Sequence, residues 1–343
     1  MSGTDGTPAV VVGLDVGGTK TNATVLDGSG TFLVDRMVET PSRVHDGPAA
    51  AIAAIRDAMV MAVEAAGVPA ATVLAIGLDT PGPASADGVI SARGATNFAG
   101  PEWWGFDFRS AVEQHLRLPV IYNNDGNAAA LYAHTMHFGD DASHRSSISA
   151  IVGTGLGGGV IESGEVVRGA SGMAGELGHV HIPMDGLLEA DQPLPRCNCG
   201  FVGDLESVAS LSGITNNLLP YWLTRYPDHP LGDGRPIAAA AKAVRSFGER
   251  GDEMALAIFD QQANAIGRMF TIAANFTDPH AYFVGGGVIE SELHFRDWFV
   301  AKVREYTLLR EEQARVSGFA LVSDLDMAGA RGSAMAAMHA IRG

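Results

Sequence analysis

The stretch VVVGLDVGGTKTNATVLDGSG, residues 10–30, decides the fold. An apolar run ends at Asp15, and a glycine turn leads back into a second apolar run. Asp27-Gly-Ser-Gly30 is typical of a tight turn between antiparallel strands, and we expect a third strand over 32–39. The stretch therefore predicts a three-stranded β-unit whose first turn exposes backbone N–H groups.

The same pattern returns in SISAIVGTGLGGGVIESGEVVR, residues 147–168. We expect strands over 148–152, 160–162 and 166–168, with a glycine-rich turn over 153–159. A dinucleotide-binding loop of the Rossmann type would open a helix, and the strand-like residues after this turn argue against it. Hairpins with glycine turns are common, but we interpret the repetition as a duplicated domain core.

Helices and strands alternate through the rest of the chain. Apolar periodicity predicts helices over 48–66, 206–219, 238–247, 252–274, 291–306 and 332–341. Short apolar runs predict strands over 73–78, 120–122, 281–284 and 320–322, while 183–196 and 225–235 are expected to be loops. This alternation predicts an α/β protein.

Composition excludes several classes of protein. Glycine accounts for 43 of 343 residues without a three-residue period, and 46% of the residues are hydrophobic, so collagen and disordered chains are excluded. The net charge of −16 disfavours a nucleic-acid partner. The two cysteines do not suggest a disulfide scaffold, the first residues lack a signal peptide, and no apolar run predicts a membrane helix. We therefore expect a cytoplasmic protein without a membrane partner.

Three glycine clusters are candidate nucleotide-binding segments. Glycine turns present N–H groups that bind anions, and a neighbouring hydroxyl, cation or carboxylate adds phosphate and Mg²⁺ ligands. The alternative for each cluster is a plain turn, and none has the spacing of a Walker A loop. The candidate residues are Asp15, Gly17, Gly18, Thr19 and Lys20 in the first cluster, Gly153, Thr154 and Gly155 in the second, and Gly285, Gly286 and Gly287 in the third, beside which adenosine can lie.

Asn124 and Asp125 follow a predicted strand and precede the apolar residues 128–131. Asp125 is either the N-cap of a helix or a carboxylate placed to accept a proton from an attacking hydroxyl. From this segment alone the N-cap is favoured.

A third constellation combines imidazole, thiols and a carboxylate. His179, Cys197 and Cys199 are plausible zinc ligands, and Asp204 can supply the fourth. His181, which we expect on the same strand as His179, is an alternative imidazole. These residues predict a structural metal site.

These motifs, in this order, resemble those of the ROK family of bacterial sugar kinases and repressors. The resemblance implies a two-lobed actin-like ATPase (ribonuclease H-like) fold with a duplicated βββαβα core. It implies one lobe formed by residues 1–123 with the closing helix at about 327–343, a second lobe formed by 124–326, and ATP–Mg²⁺ and a hexose meeting between the lobes. We expect a homodimer or homotetramer.

The resemblance also assigns roles to residues. It implies that Asp125 is the catalytic base, that the three glycine clusters bind ATP, and that the sugar ligands are Asn97, Asn124, Glu176, His179 and Glu206. It places zinc on His179, Cys197, Cys199 and Asp204. Asp204 stands where the family has a third cysteine, so we expect zinc to bind more weakly or to be absent.

The implied activity is phosphorylation of a hexose hydroxyl by ATP, with glucose O6 the first choice. An N-acetylmannosamine or N-acetylglucosamine kinase is the alternative, and a catalytically weak sugar-binding protein is another. Only nine residues precede the first predicted strand, so we do not expect the DNA-binding module of the family's repressors. ATP and polyphosphate both remain open as phosphoryl donors.

Overall fold

The computed structural model describes residues 9–82, 87–90, 96–98 and 100–342. The described chain contains two five-stranded sheets. The first has the order β3-β2-β1-β4-β5, with strands β1 Val10–Val16, β2 Lys20–Asp27, β3 Val38–Pro41, β4 Val73–Thr80 and β5 Val120–Asn124. The second has the order β10-β9-β6-β7-β8, with strands β6 Ser147–Val152, β7 Leu156–Glu162, β8 Glu165–Val166, β9 Ala281–Gly286 and β10 Gly318–Leu321.

The helices alternate with these strands as an α/β protein requires. They are α1 Pro48–Ala66, α2 Phe108–Leu116, α3 Asp125–Phe138, α4 Glu206–Ala209, α5 Leu211–Gly213, α6 Leu219–Arg225, α7 Ile237–Gly248, α8 Glu253–Thr277, α9 Leu293–Tyr306, α10 Glu311–Val316 and α11 Leu325–Arg342. Short 3₁₀ turns and one π-helical turn, Ile214–Leu218, complete the helical segments.

The two sheets share one topology, which confirms the predicted fold class. In the first sheet β1 pairs antiparallel with β2 and parallel with β4. In the second sheet β6 pairs antiparallel with β7 and parallel with β9. The chain therefore repeats a hairpin followed by a parallel strand, as its two glycine-turn segments predict.

The chain divides into two compact units. Unit 1 comprises residues 1–143, 164–175 and 323–343, and unit 2 comprises 144–163 and 176–322. Both units are discontinuous in sequence, because the segment 164–175 and the last helix belong to unit 1.

Unit 1 buries both faces of its sheet. On one face β1 and β4 pack against α1 through apolar side chains such as Leu14, Ile55 and Ile76. On the other face α11 approaches the strands at backbone distance: a Cβ on Gly13 would lie 1.9 Å from the carbonyl oxygen of Ala330, and one on Gly77 would lie 1.9 Å from that of Ser333. Only glycine permits this contact.

Unit 2 is built around the long helix α8 and the second sheet. The side chains of Met254, Ile258, Ile266 and Phe270 on α8 are buried. The ring of Tyr282 on β9 stacks on Phe319 with centroids 5.1 Å apart. The ring of Phe270 on α8 packs against Tyr282 with centroids 5.1 Å apart, which holds α8 against the sheet.

The predicted strand over 32–39 is wrong over most of its length. After the turn at Asp27, the chain touches β2 at one bridge, Phe32 to Leu26. The exposed residues Asp35 and Arg36 then bend the chain away, and pairing resumes only at Val38. The likewise predicted strand over 166–168 is shortened to Glu165–Val166.

The second glycine turn is also shorter than predicted. It spans Gly153 to Gly155, and Gly157, Gly158 and Gly159 are residues of β7. A Cβ on Gly158 would lie 2.2 Å from the carbonyl oxygen of Ser149 on β6. This glycine therefore serves close packing of the strands rather than a turn.

The single helix predicted over 206–219 is broken in the structure. Ser210 is extended, with φ −136° and ψ 168°, and its hydroxyl caps α5 by accepting a hydrogen bond from the N–H of Gly213. The hydroxyl thus competes with the continuing helix, as serine side chains do. The sequence analysis predicts no helix over α2, α6 or α10, and it suggests α3 only through the N-cap alternative for Asp125.

Within the described residues, none of the helices is both long enough and apolar enough for a bilayer crossing.

Candidate active site

The first glycine turn closes the β1–β2 hairpin in unit 1. The N–H of Gly17 donates to the carbonyl of Lys20 at 2.9 Å, and the carbonyl of Thr19 accepts from the N–H of Ser42 at 3.0 Å. A Cβ on Gly18 would lie 2.5 Å from Oδ1 of Asn97. The structure therefore brings Asn97, predicted as a sugar ligand, against the predicted phosphate turn.

The side chain of Lys20, at the end of this turn, is exposed to solvent. Its ammonium forms an ion pair of 2.8 Å with Glu39 on β3, and its side chain is 61% exposed. A surface pair of this kind contributes about 0–1 kcal/mol, so an anion can displace it at little cost.

Polar side chains, among them several carboxyl groups, lie near the carboxyl ends of the three neighbouring parallel strands β1, β4 and β5. Asp15 on β1 pairs in register with Asp79 on β4, and Thr80 pairs with Asn124 on β5. Because parallel strands end at the same edge of a sheet, their last side chains converge there. Asp125 begins the helix that follows.

Asp79 is the member of this group that sequence reasoning missed. Its side chain is fully buried and accepts a hydrogen bond of 2.7 Å from the hydroxyl of Ser333 on α11. Burial, together with the charge of Asp15, raises the pKa of Asp79 well above its ordinary value. Burial also raises the pKa of Asp15, while hydrogen bonds to Asp79 and Asn22 oppose that rise. The signal that could have revealed Asp79 is its place at the end of an apolar run, like that of Asp15.

Asn124, rather than Asp125, is the N-cap of α3. Oδ1 of Asn124 accepts from the N–H groups of Gly126 at 2.8 Å and Asn127 at 3.3 Å. Asp125 is the first residue of the helix, and its Oδ1 accepts from the N–H of Gly126 at 2.7 Å. The N-cap alternative for Asp125 is therefore wrong, and its carboxylate stands at the positive end of the helix dipole.

The second glycine turn, in unit 2, is held by the start of α5. The N–H of Leu211 donates to the carbonyl of Gly153, and the N–H and hydroxyl of Ser212 donate to that of Thr154. Oε2 of Glu206 accepts from the N–H of Leu156 at 2.9 Å. The predicted sugar ligand Glu206 thus also supports the turn.

A cavity of about 470 Å³ lies beside this turn within unit 2. Its wall combines amide and hydroxyl groups with two apolar side chains and one cation. The lining residues are Thr154, Asn198, Leu211, Ser212, Thr215, Asn216, Ala238 and Lys242. Sequence reasoning found only Thr154 among them. Asn198 lies in the turn between the two cysteines, and the other lining residues lie on helical segments whose exposed faces carry no motif.

The third glycine cluster ends β9. Gly286 has φ +96°, and a Cβ there would lie 1.9 Å from the carbonyl oxygen of Val152. The N–H of Gly287 donates to that same carbonyl at 3.0 Å, and the carbonyl of Gly287 accepts from Arg245 at 2.6 Å. The demand for glycine at position 286 thus comes from packing against β6.

The predicted metal ligands converge in unit 2. One ligand atom from each of His179, Cys197, Cys199 and Asp204 lies within 4.8 Å of the others. Nδ1 of His179 is 3.3 Å from Oδ2 of Asp204, 3.6 Å from Sγ of Cys199 and 4.0 Å from Sγ of Cys197. The two sulfur atoms are 3.1 Å apart, and Sγ of Cys199 is 3.7 Å from Oδ2 of Asp204.

His181 does not join this cluster, and the strand predicted for both histidines is wrong. His179 ends a 3₁₀ turn, Leu177–His179, while His181 makes an isolated bridge with Asp204. The two imidazoles consequently differ in surroundings, although both contact the ring of Phe201.

The cluster and the predicted sugar ligands influence one another electrostatically. A hydrogen bond to Asp204 raises the pKa of His179, and the carboxylates of Glu206 and Glu176 add to the rise. Burial raises the pKa of Glu176, with the charge of Glu206 adding to the rise and that of His179 opposing it. Burial likewise raises the pKa of the Cys197 thiol, whose Sγ lies 3.3 Å from Oε1 of Glu206.

The predicted residues are divided between the units. Unit 1 contains the first glycine turn, Asn97, Asn124 and Asp125. Unit 2 contains the other two glycine clusters, Glu176, Glu206 and the metal cluster. Each unit therefore carries one glycine turn of the duplicated hairpin.

Comparison with known proteins decides the family. The profile of the ROK family matches residues 11–340. This chain belongs to the ROK family. The resemblance inferred from the motifs is thereby confirmed.

Two kinases of known activity are similar to most of the chain. The glucokinase of Streptomyces coelicolor is 32% identical over 81% of this chain and 82% of its own length. The N-acetyl-D-glucosamine kinase of Pectobacterium carotovorum is 30% identical over 80% of this chain and 83% of its own length.

Solved ROK structures share the fold. The ROK hexokinase of Thermus thermophilus is 30% identical, with a TM-score of 0.76 over 97% of this chain and 99% of that one. The ROK family glucokinase of Streptomyces griseus, solved with glucose and AMPPNP, is 28% identical, with a TM-score of 0.68 over 96% of this chain and 99% of that one.

Proposed function

We propose that this protein transfers the γ-phosphoryl group of ATP to a hexose hydroxyl, with O6 of glucose as the acceptor. The observation that carries the proposal is Asp125, a carboxylate placed by the end of β5 and the cap of α3 in a chain similar to glucokinases over about four fifths of its length. The glucose and AMPPNP complex of the Streptomyces griseus relative supports the choice of both substrates.

In this mechanism Asp125 accepts the proton of the attacking hydroxyl. Asn97, Asn124, Glu176, His179 and Glu206 hold the sugar. The N–H groups of the glycine turns and the ammonium of Lys20 bind the phosphates and offset the charge that develops during transfer.

The carboxylate pair of Asp15 and Asp79 suits the Mg²⁺ that accompanies ATP. Asp79 has one oxygen that, within the described residues, accepts no hydrogen bond from an N–H or hydroxyl group. The carboxyl groups of Asp79 and Asp15 share a hydrogen bond. Asp15 is the half-buried member of the pair, so we propose that it holds the cation, directly or through water. The cation would neutralise phosphate charge.

An N-acetylhexosamine kinase is the second candidate. The observation that favours it is the 30% identity with the N-acetyl-D-glucosamine kinase of Pectobacterium carotovorum. A sugar panel separates the two: purified protein with ATP–Mg²⁺ is assayed for ADP release on glucose, mannose, N-acetylglucosamine and N-acetylmannosamine, and with polyphosphate in place of ATP. We expect ATP and glucose to give the highest kcat/KM. Absence of phosphorylation on every sugar would leave a sugar-binding protein.

Replacing the base tests the mechanism. Asp125→Asn keeps the shape of the side chain but cannot accept the proton, so we expect kcat to fall about 10²–10⁴-fold. Sugar binding, measured by calorimetry, is expected to stay within about threefold of the wild type. Asp57→Asn, at an exposed carboxylate of α1, is the matched control. Near-normal turnover of Asp125→Asn would contradict the assignment.

We propose zinc for the cluster of His179, Cys197, Cys199 and Asp204. In a tetrahedral zinc site with Zn–S of about 2.3 Å and Zn–N or Zn–O of about 2.0–2.1 Å, neighbouring ligand atoms lie about 3.3–3.8 Å apart. Distances of 3.3, 3.6 and 3.7 Å fall within that range, and those of 4.0 and 3.1 Å lie close to it. The donor set of one nitrogen, two thiolates and one carboxylate therefore fits zinc.

Metal analysis of the purified protein tests the zinc site. We expect about one zinc per chain and a lower Tm after chelation, because bound metal stabilises the folded state. Oδ1 of Asp204 also accepts from the N–H of Ser207 at 2.9 Å, so Asp204→Asn should keep that bond and lose metal affinity. An unchanged zinc content in Asp204→Asn would remove Asp204 from the ligand set.

Three further proposals rest on the family resemblance. We propose that the two compact units are the two lobes, so that residues 124–143 and 164–175 belong with residues 1–123 and the closing helix, not with the second lobe as the sequence boundaries implied. We also propose a homodimer or homotetramer in the cytoplasm. Light scattering coupled to size-exclusion chromatography measures the oligomeric mass.

A further inference from the structure

One arginine joins a separate segment of unit 1 to the strand before Asp125. The segment 164–175 belongs to unit 1, although residues 144–163 and 176–322 on either side belong to unit 2. Nη1 of Arg168 donates to the carbonyl oxygen of Tyr122 at 2.8 Å, and Nη2 donates to Oδ1 of Asn123 at 2.8 Å. The planar guanidinium therefore forms hydrogen bonds with two consecutive residues of β5.

These two hydrogen bonds satisfy polar groups of β5 that the sheet leaves unpaired. Among the described residues β5 is an edge strand of its sheet, so the carbonyl groups on its outer side have no described strand as a hydrogen-bond partner. Arg168 satisfies one of them, and it also fixes the side chain of Asn123, which is 2% exposed. Charge-assisted bonds of this type are about twice as strong as neutral ones. Burial lowers the pKa of Arg168, in keeping with a guanidinium withdrawn from water.

Tyr122 and Asn123 directly precede Asn124 and the proposed base Asp125. Asn124 follows at once and caps α3, and Asp125 follows it with Oδ1 bonded to the N–H of Gly126. The direction of the Asp125 carboxylate therefore depends on where β5 ends.

The backbone of Arg168 is itself held. Its carbonyl accepts from the N–H of Ala174 at 3.1 Å and closes a loop over 168–174. Gly169 begins that loop with φ +72°, a conformation that glycine adopts without strain. Arg168 is thus anchored at its backbone and at its side chain.

We propose that Arg168 is a positioning residue for Asp125, acting through Tyr122 and Asn123 to fix the end of β5. The inference rests on the proposed function for its catalytic readout. No contact of Arg168 with a substrate is needed.

Steady-state kinetics with ATP and the best sugar of the panel test the proposal. We expect Arg168→Ala to lower kcat about 10–100-fold, since small misplacements of a catalytic group have effects of that size. KM for ATP should stay within about twofold. Arg168→Lys, which keeps the charge but not the paired donors, should lose nearly as much. Arg56→Ala, at an exposed arginine of α1 paired with Asp57, is the control.

Chemical rescue separates positioning from general damage to the fold. Guanidinium chloride at low millimolar concentration should restore part of the kcat of Arg168→Ala and leave Arg168→Lys unchanged. Unchanged kcat in Arg168→Ala would overturn the proposal, and so would a rise in KM alone.

Hydrogen exchange of the amides over 120–127 provides a readout without catalysis. We expect faster exchange in Arg168→Ala than in the wild type, confined to this segment. Equal exchange rates in the two proteins would overturn the proposal for Arg168, whether or not the wild type is active. A wild type that phosphorylates no sugar would refute the proposed function but not the positioning role of Arg168.

Discussion

At the scale of single residues, the sequence singled out candidate chemical groups but not the contacts that hold them. Asp125 is a candidate because a carboxylate after an apolar strand is a recognisable pattern. The sequence could not predict which of Asn124 and Asp125 is the N-cap of α3. Both residue types can cap a helix, and the choice depends on the angle at which β5 meets α3. Asp79 was not identified from the sequence because its partners, Asp15 and Ser333, are far from it in sequence.

Tyr282 offers a test of polar burial at this scale. Its hydroxyl is buried and, within the described residues, has no hydrogen-bond partner. A lone buried hydroxyl costs about 1–3 kcal/mol, so we expect Tyr282→Phe to raise the free energy of unfolding by about 1 kcal/mol at pH 7. Urea denaturation measures this change, and a loss of stability would contradict it.

The same residue predicts a dependence on alkaline pH. Burial, with a smaller effect of Asp278, raises the pKa of Tyr282 from 10.0 to about 12. The unfolded state therefore ionises first, and the wild type loses stability as the pH rises from 10 through 12. Because Phe does not ionise, the advantage of Tyr282→Phe should widen over that interval. Tyr226→Phe, at a half-buried tyrosine, is the control.

At the scale of elements, apolar periodicity predicted the long helices and the buried strands well. The pattern failed where a polar group or a glycine acts at short range. Ser210 ends α4 with its own hydroxyl, and Gly158 allows β7 to start inside a presumed turn. The bond between Ser210 and Gly213 is local, but apolar periodicity does not register a polar cap. The contact of Gly158 depends on Ser149 of the neighbouring strand, which a local pattern does not contain.

The cavity beside the second glycine turn yields a prediction for two elements, the helices α5 and α7. Lys242 on α7 is the cation in the wall of that cavity. If ATP binds there, Lys242→Met should raise KM for ATP about 5–30-fold, because a charge-assisted bond of about 1–2 kcal/mol is lost. The sugar KM should stay unchanged.

Lys302→Met provides the comparison for this experiment. Lys302 lies on α9 and pairs with Asp260 and Glu305. Equal effects of the two substitutions on KM for ATP would show that Lys242 acts only through net charge.

At the scale of the whole molecule, the repeated hairpin predicted the architecture before any residue role was assigned. The two sheets share strand order and pairing because each begins with the same hairpin. The discontinuous course of the units could not be predicted, since the segment 164–175 carries no local signal of the unit it joins.

Net charge gives a prediction at this scale. A charge of −16 opposes the compact state by self-repulsion, which salt screens. Raising NaCl from 10 to 100 mM at pH 7.5 should increase Tm by roughly 2 °C or more, equivalent to about 1 kcal/mol. At pH 5.0, near the isoelectric point, the same salt step should have little effect. A fall in Tm at pH 7.5 would show that screened ion pairs outweigh the repulsion.

The contact of α11 with Gly13 and Gly77 has a consequence for biosynthesis. The strands β1 and β4 leave the ribosome early, but the helix that fills their glycine-lined groove is translated only after all of unit 2. Unit 2 can therefore finish folding while unit 1 still exposes one apolar face of its sheet. We expect ribosome-bound chains stalled before residue 325 to recruit chaperones through that face, and chains extended past residue 342 to lose this affinity.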